Sequence, residues 1–150
     1  MRLIGAYVNI KGAFEVPRGK VKLDLMGGDK SKLGPGWTNF DISATEGITD
    51  DVASLGKHFE PGELGVVVAN DPRAEFLQHV GPVLEQGGTV TVRGNMSNKF
   101  FKQLWEGKAP GFEGFEVVNR TENVPNLGYT QTGGVKAVQG QISEIVLKKK

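Results

Sequence analysis

The sequence predicts one α/β domain built around a mostly parallel sheet, and three features of its central third carry that prediction. Two β-branched apolar runs, Leu64–Ala69 and Thr89–Val92, are bounded by Gly or Pro, as buried parallel strands usually are. Between the runs, apolar residues recur at helical spacing and paired glycines follow them: Phe76, Leu77, Val80 and Leu84, then Gly87 and Gly88. Strand, helix and strand within about thirty residues predict a right-handed βαβ crossover.

Length and composition frame the domain. A chain of 150 residues with 38% hydrophobic and 23% charged residues predicts a single domain over residues 1–150. The net charge of +1 gives no argument for wholesale binding to nucleic acid or membrane. No apolar run is as long as a membrane span or the core of a signal peptide. The lack of cysteine excludes disulfides and thiol nucleophiles, and two isolated histidines make metal clusters and His-dependent triads improbable.

The N-terminal part predicts a strand that ends at paired glycines. Residues 1–20 alternate loosely and predict an edge strand or hairpin. Val21–Met26 alternates apolar and polar residues and leads into Gly27 and Gly28. Without a Cβ, these glycines let the backbone approach a ligand closely, and an ordinary turn is the alternative interpretation.

The next segment offers a second strand with an acid at its carboxyl end. Asp29–Trp37 is too short and too rich in Gly and Pro for a full crossover helix. Thr38–Ile42 then predicts a strand that carries Asp41. An acid in this position of a doubly wound sheet accepts hydrogen bonds from a ribose diol, so Asp41 is the best single candidate for binding a cofactor, with a solvated turn aspartate as the alternative.

Residues 43–57 allow either a short helix or a third strand with a turn. Asp50 and Asp51 sit where an adenine-facing loop would lie, which makes Asp51 a further cofactor candidate. Paired aspartates on a surface turn are otherwise simply solvated.

Polar clusters follow both central strands. Ligands of open α/β folds bind where the carboxyl ends of the strands meet, so these clusters predict a binding or catalytic site. They consist of Asn70, Asp71 and Pro72 after the first strand and Gly94, Asn95, Ser97, Asn98 and Lys99 after the second.

The C-terminal part predicts one helix and two further strands. Phe100–Trp105 places three apolar side chains near one helical face, and Phe115–Arg120 predicts a strand. A polar loop follows over residues 121–132, and residues 140–148 predict the final strand. The terminal lysines, Lys148–Lys150, are interpreted as a solvated tail, with a contact to RNA or phosphate as the alternative.

From Val21 to Leu147 the chain resembles the class I S-adenosylmethionine-dependent methyltransferases. VKLDLMGGD is similar to their first strand and glycine motif, PGWTNFDIS to their second strand and ribose-binding acid, VVVANDP to their fourth strand and catalytic loop, and VLEQGGTVTVRG to their fifth strand. The resemblance implies a Rossmann-like sheet that is mostly parallel, with an antiparallel C-terminal strand and few helices. Where the family has Gly-x-Gly, this chain has Met26, Gly27 and Gly28.

The resemblance also implies a site. S-adenosylmethionine would lie against Gly27, Gly28, Asp41 and Asp51. Asn70, Asp71 and Pro72 would face a nitrogen acceptor, as the similar Asn/Asp-Pro-Pro motif does, with Lys99 as a further catalytic residue and Asn95, Ser97 and Asn98 contacting the substrate. Arg73 and Ala74 stand where that motif has a second proline and an aromatic residue.

A narrower resemblance points to a biological role. ANDP, GNMSNKF and GYTQTGG, followed by QISEIVL, are similar to methyltransferase-like domains at the C-termini of bacterial polymorphic toxins of the Rhs and contact-dependent growth inhibition class. That implies secretion within a larger toxin, action on RNA or protein in the target-cell cytoplasm, and a cognate immunity protein; a simple cytoplasmic protein is the alternative.

Two other functions stay open at this point. A cofactor-independent toxin that cleaves tRNA could use polar residues at the same edge: Asp71, Arg93, Asn95, Asn98 and Lys99. A binding module without chemistry is the other alternative.

Overall fold

A seven-stranded sheet forms the framework of the part of the protein that the structure describes. The computed structural model describes residues 20–124 and 141–150. The strands are β1 Val21–Leu25, β2 Trp37–Asp41, β3 Ile48–Thr49, β4 Leu64–Asn70, β5 Leu84–Gly94, β6 Phe115–Val124 and β7 Ile142–Lys149. The helices are α1 Leu55–His58, α2 Leu77–Val80 and α3 Lys99–Trp105, with single 3-10 turns at Val52–Ser54, Gly81–Val83 and Phe112–Gly114.

The strand order is β3-β2-β1-β4-β5-β7-β6. Strands β1 to β5 pair in parallel, and β7 runs antiparallel to both β5 and β6. The chain builds the sheet outwards from β1 in one direction and then returns to place β4 on the other side of β1. The loops after β1 and β4 therefore leave in opposite directions and open a crevice between them, which is where open α/β sheets bind ligands.

The core lies against both faces of the parallel strands. Consecutive residues Leu23, Asp24 and Leu25 of β1 are all buried, which explains why such strands lack a clean polar face. The helices contribute apolar side chains to this core. The buried residues from the helices and the loops beside them include Leu55, Phe59, Phe76, Leu77, Val80, Phe101 and Leu104.

The crossover between β4 and β5 corrects one prediction. The segment expected to be a helix from Phe76 to Leu84 is a single turn of α2 followed by a 3-10 turn. Pro82 in that turn has no N–H to continue the α-helix. Leu84 begins β5, so Gly87 and Gly88 lie within a long strand that shifts register against β4, pairing Leu84 with Leu64 and Thr89 with Val66.

The other elements follow the sequence predictions with shifted boundaries, with one correction at the C-terminus. Lys148 and Lys149, predicted to belong to a solvated tail, lie in β7, and Lys149 Nζ donates to Gly81 O at 2.6 Å and to Leu84 O at 2.8 Å. Residues 43–57 contain both alternatives, a short strand and short helices. Strand β2 ends at Asp41, which leaves Ile42 outside it and 66% exposed. Strand β6 continues to Val124, into the predicted loop. The predicted N-terminal strand or hairpin and most of the loop over residues 121–132 lie outside the described residues. Within residues 20–124 and 141–150, no helix has the length and apolar character needed to cross a membrane.

Candidate functional site

The candidate site lies where the loops after β1, β2, β4 and β5 meet, and we call this region the sheet mouth: residues 26–29, 41–43, 70–73 and 93–99. Two of its loops begin with a non-glycine residue in the left-handed region. Met26 follows β1 with a φ of 59°, and Asp71 follows β4 with a φ of 51°. Each residue keeps a backbone bond to the neighbouring strand, Met26 N to Phe40 O at 2.7 Å and Asp71 N to Arg93 O at 2.8 Å. The chain thus turns sharply at the end of each strand, a strained geometry that is common at functional sites.

The two glycines after β1 have different roles. A Cβ on Gly27 would lie 2.7 Å from Asp24 Oδ2 and closer still to Asn39 Oδ1, so only glycine fits there. Gly28 has a φ of +90°, and a Cβ on it would meet no atom within 4 Å. Gly27 therefore packs against the strands, whereas Gly28 borders open space.

Two buried polar residues support this glycine turn. Asn39 Nδ2 donates to Gly28 O at 2.9 Å and to Glu46 O at 3.1 Å. Asp24 accepts a 2.7 Å hydrogen bond from Ser31 Oγ, and burial raises the pKa of its carboxyl above the ordinary 3.8. Sequence reasoning missed both residues. The signal was a polar residue at an inward position of each strand, in VKLDL and WTNFD.

The carboxylate of Asp41 is buried and fully engaged. Its Oδ1 accepts from Ser43 N at 2.8 Å, and its Oδ2 accepts from Gly28 N at 2.9 Å. The same Oδ2 forms an ion pair with Arg73 Nη2, and the Asp41 side chain has no exposed surface. Two residues predicted to bind a cofactor, Gly28 and Asp41, are thus in direct contact.

Arg73 bridges the crevice between the two central loops. It leaves the loop after β4, and its Nη2 donates both to Asp41 and, at 3.3 Å, to Met26 O. Its backbone N–H lies 3.4 Å from Met26 Sδ. The side chain remains 29% exposed. Sequence reasoning treated Arg73 only as a departure from a motif, although a cation directly after Asp-Pro at the sheet mouth was available as a signal.

Asn98 joins the predicted catalytic loop to the predicted substrate loop. Its Nδ2 donates to Asp71 Oδ1 at 2.8 Å and to Pro72 O at 2.7 Å. Its Oδ1 caps α3 by accepting from Phe100 N and Phe101 N, at 2.9 and 3.2 Å. In the part of the chain that the structure describes, no residue donates to the second carboxylate oxygen of Asp71.

Beside Asp71, a polar row crosses three strands. Arg93 Nε donates to Glu144 Oε2 at 2.6 Å, and Arg93 Nη1 lies 3.5 Å from Asn70 Oδ1. Arg93 is thus paired with the opposite charge of Glu144 and lies beside the predicted catalytic residue Asn70.

Among the other predicted site residues, two stabilise turns and two are exposed. Asp51 is exposed and caps the 3-10 turn at Val52–Ser54, accepting from Ala53 N at 2.8 Å. Asn95 Oδ1 accepts from Ser97 N at 2.8 Å and fixes the turn before α3. Ser97 itself is exposed, and so is Lys99, whose Nζ lies 5.1 Å from the centre of the Phe100 ring.

A histidine and a carboxylate pair at the margin of the mouth. His58 Nε2 lies 2.8 Å from Asp50 Oδ2, and this hydrogen bond lowers the pKa of Asp50 below 3.8. Asp50 N also donates to Asp41 O at 3.3 Å. In residues 20–124 and 141–150, no group of three or more His, Cys, Asp or Glu residues could hold a metal ion.

Comparison with solved structures identifies the architecture. The chain is similar to the 16S rRNA (adenine(1408)-N(1))-methyltransferase W203A mutant with cosubstrate SAM from Catenulisporales acidiphilia, with a TM-score of 0.61, 10% identity, and coverage of 87% of this chain and 85% of that one. It is also similar to the N-methyltransferase NodS from Bradyrhizobium japonicum WM9 in complex with S-adenosyl-l-homocysteine, with a TM-score of 0.54, 11% identity, and 87% and 78% coverage. A SAM-dependent methyltransferase from Archaeoglobus fulgidus gives a TM-score of 0.56 at 11% identity, with 87% and 86% coverage.

No protein-family model matches the sequence, and no curated protein does. The structural likeness at such low identity establishes the fold. The strand order, with parallel β1 to β5 and an antiparallel β7 inserted between β5 and β6, agrees with it. The described part of this chain therefore has the Rossmann-like α/β fold of the class I methyltransferases, as the sequence predicts.

Proposed function

We propose that this protein is a methyltransferase that takes S-adenosylmethionine at the sheet mouth and methylates a nitrogen atom of a nucleic acid or protein. The observation that carries the proposal is the 2.9 Å hydrogen bond between Gly28 N and Asp41 Oδ2 at the point where the strand order reverses. It joins a glycine turn after β1 to an acid at the end of β2, the two parts that nucleotide-binding sheets use for ligands with a ribose.

The residues fit this cofactor once Arg73 has left Asp41. The backbone at Gly28 borders open space, which leaves room for a bound molecule against it. Asp41 would accept hydrogen bonds from the ribose diol, but in the closed arrangement the guanidinium of Arg73 holds that position. When bound, S-adenosylmethionine supplies an electrophilic methyl group on a sulfonium.

The acceptor side of the proposed site is built from Asp71 and its neighbours. Asn98 fixes the Asp71 carboxylate through Oδ1, which leaves Oδ2 to accept a hydrogen bond from an acceptor N–H. Such a bond orients the nitrogen lone pair, and orientation alone can supply many orders of magnitude in rate. This arrangement supports an acceptor nitrogen that carries a hydrogen over an acceptor atom that has no hydrogen to donate to the Asp71 carboxylate.

The biological setting is proposed from sequence resemblance. We infer a bacterial toxin or effector domain, delivered as part of a larger secreted protein into a target-cell cytoplasm, with RNA such as tRNA, or a protein, as the acceptor. A cognate immunity protein would accompany such a toxin. One of the similar structures, the 16S rRNA (adenine(1408)-N(1))-methyltransferase, is itself an enzyme of RNA, which gives RNA the first place among the acceptors to test.

Calorimetric titration of the protein with S-adenosylmethionine and S-adenosylhomocysteine tests the proposal. We expect micromolar binding and at least about a tenfold loss in Asp41→Asn, because the amide cannot replace a carboxylate that accepts from a diol. Glu116→Gln is the control, since Glu116 is an exposed acid on β6, outside the sheet mouth. Equal loss in both variants, or no binding either by the unmodified protein or by a variant that lacks the Arg73 guanidinium, would contradict the proposal.

The ion pair between Arg73 and Asp41 also favours a second candidate, an RNA-cleaving enzyme that has given up the cofactor, because it closes the ribose position from within. Incubation with total tRNA separates the candidates. Transfer of a labelled methyl group to RNA that is lost when Asp71 is replaced supports the methyltransferase. Breakage of tRNA without added cofactor supports the ribonuclease. If neither methyl transfer nor breakage is observed, the protein is a binding module.

A further inference from the structure

We propose that Arg73 is an internal competitor for the ribose position on Asp41, so that cofactor binds only after this ion pair opens. The inference rests on the proposed function and adds a control element to it. The carboxylate best placed to bind a ribose diol, that of Asp41, already forms an ion pair with the guanidinium of Arg73.

Three contacts hold Arg73 across the crevice. Its Nη2 reaches Asp41 at the end of β2 and Met26 O at the end of β1, while its backbone N–H approaches Met26 Sδ. These atoms lie on the β1 and β2 side of the switch point, opposite the β4 loop that carries Arg73. Arg73 therefore lies directly across the crevice in which ligands of this sheet type bind.

When a ribose diol replaces the guanidinium, neither Asp41 nor Arg73 becomes a buried charge without a partner. Asp41 keeps its hydrogen bonds from Ser43 N and Gly28 N, so two charge-assisted bonds to the carboxylate survive when Arg73 leaves. Arg73 is already 29% exposed and can move into water without losing a fully buried environment. A buried charge left without any partner would instead resist opening.

The closed pair has a measurable cost for binding. When only a fraction of the molecules is competent to bind, the apparent dissociation constant rises by the inverse of that fraction. Removing Arg73 makes every molecule competent. The same change takes away the cation that partners a buried carboxylate, so the ligand-free protein loses stability.

Titration with S-adenosylhomocysteine compares the unmodified protein with Arg73→Ala, Arg73→Lys and Arg120→Ala. We expect Arg73→Ala to bind about tenfold more tightly or better. Arg73→Lys should be intermediate, because lysine keeps the positive charge but its ammonium is more strongly hydrated than a guanidinium and pairs less tightly with a buried carboxylate. Arg120→Ala is the matched control. Arg120 lies on β6, outside the sheet mouth, and packs against Trp105, so its loss should leave the affinity unchanged.

Thermal unfolding supplies a readout that a merely structural arginine would not produce. Arg73→Ala should melt lower than the unmodified protein without ligand and gain more from saturating S-adenosylhomocysteine, because tighter binding stabilises more. If Arg73→Ala does not fold, the same comparison is made with Arg73→Lys, for which the expected changes in melting temperature are smaller. Lower stability with no larger gain from ligand would overturn the competitor role.

The outcomes separate this inference from the proposed function. If the unmodified protein binds S-adenosylhomocysteine and removal of Arg73 leaves the affinity unchanged or weaker, the competitor role is overturned and the proposed function stands. If neither the unmodified protein nor any Arg73 variant binds, both are overturned. Tighter binding in Arg73→Ala, with the control unchanged, supports both.

Discussion

Asn98 and Asp71 are joined by a 2.8 Å hydrogen bond from the amide of one to the carboxylate of the other. The same Asn98 uses its oxygen to cap α3, so one side chain holds the helix and the acid at the mouth in a fixed relation. The cap requires an acceptor and Asp71 requires a donor, and the amide of Asn98 supplies both.

Substitution of Asn98 should therefore separate the two roles. Asn98→Ala loses both and should destabilise the protein by about 1–2 kcal/mol. Asn98→Asp keeps the capping oxygen but sets a second carboxylate beside Asp71, so more of the loss should appear in acceptor methylation than in stability. Urea unfolding and methyl-transfer assays measure the two effects. Lys102→Ala, at an exposed position of the same helix and outside the sheet mouth, is the control, and equal effects of all three changes would refute the assignment.

Gly27 should be intolerant of a side chain because its Cβ position is taken by Asp24 and Asn39. Gly27→Ala should lower the free energy of unfolding by about 1–3 kcal/mol, the usual cost of overpacking. The measurement is urea denaturation. Gly56→Ala makes the control, since a Cβ at this α1 glycine meets nothing within 4 Å and alanine favours the helix. A Gly27→Ala protein as stable as the Gly56→Ala protein would contradict the packing.

The buried Asp24 should make stability depend on pH in the direction opposite to most carboxyls. Burial raises its pKa above 3.8, so the folded state holds the proton more tightly than the unfolded chain does. Its contribution to stability is fully present below pH 3.8 and is lost as pH rises through the raised pKa. Urea unfolding between pH 4 and 8 should show the unmodified protein losing stability relative to Asp24→Asn. A constant difference across this range would show that Asp24 ionises alike in both states.

Asp50 should show the usual direction. The hydrogen bond from His58 lowers its pKa below 3.8, so its contribution is present above that value and is lost as pH falls through the lowered pKa. In His58→Ala the pKa of Asp50 should return towards 3.8, measured by NMR titration of the carboxyl carbon. Lys57→Ala is the neighbouring control and should move it less. An unchanged pKa in His58→Ala would show that another group holds Asp50.

Local pattern was sufficient for most strands and insufficient for the central crossover. Leu64–Ala69 predicted β4 because an uninterrupted apolar run bounded by Gly or Pro suits a strand buried on both faces. The segment from Phe76 to Leu84 satisfied helical spacing equally well as one helix or as a short turn before a strand. Pro82 and the pairing of Leu84 with Leu64 determine that the segment is a short turn before a strand. The spacing of apolar residues along the chain does not specify which residues pair across the sheet.

The site divides in the same way. The sequence alone determined that a glycine turn follows β1, that an acid ends β2 and that polar residues cluster at the ends of β4 and β5, because strand ends follow from composition. Tertiary structure alone decided that Arg73 meets Asp41, 32 positions away in the chain. Strand β1 lies between β2 and β4 in the sheet, so Arg73, in the loop after β4, reaches across the end of β1 to Asp41 at the end of β2. No local pattern encodes which charged side chain crosses such a crevice, since the choice depends on the order of strands in space.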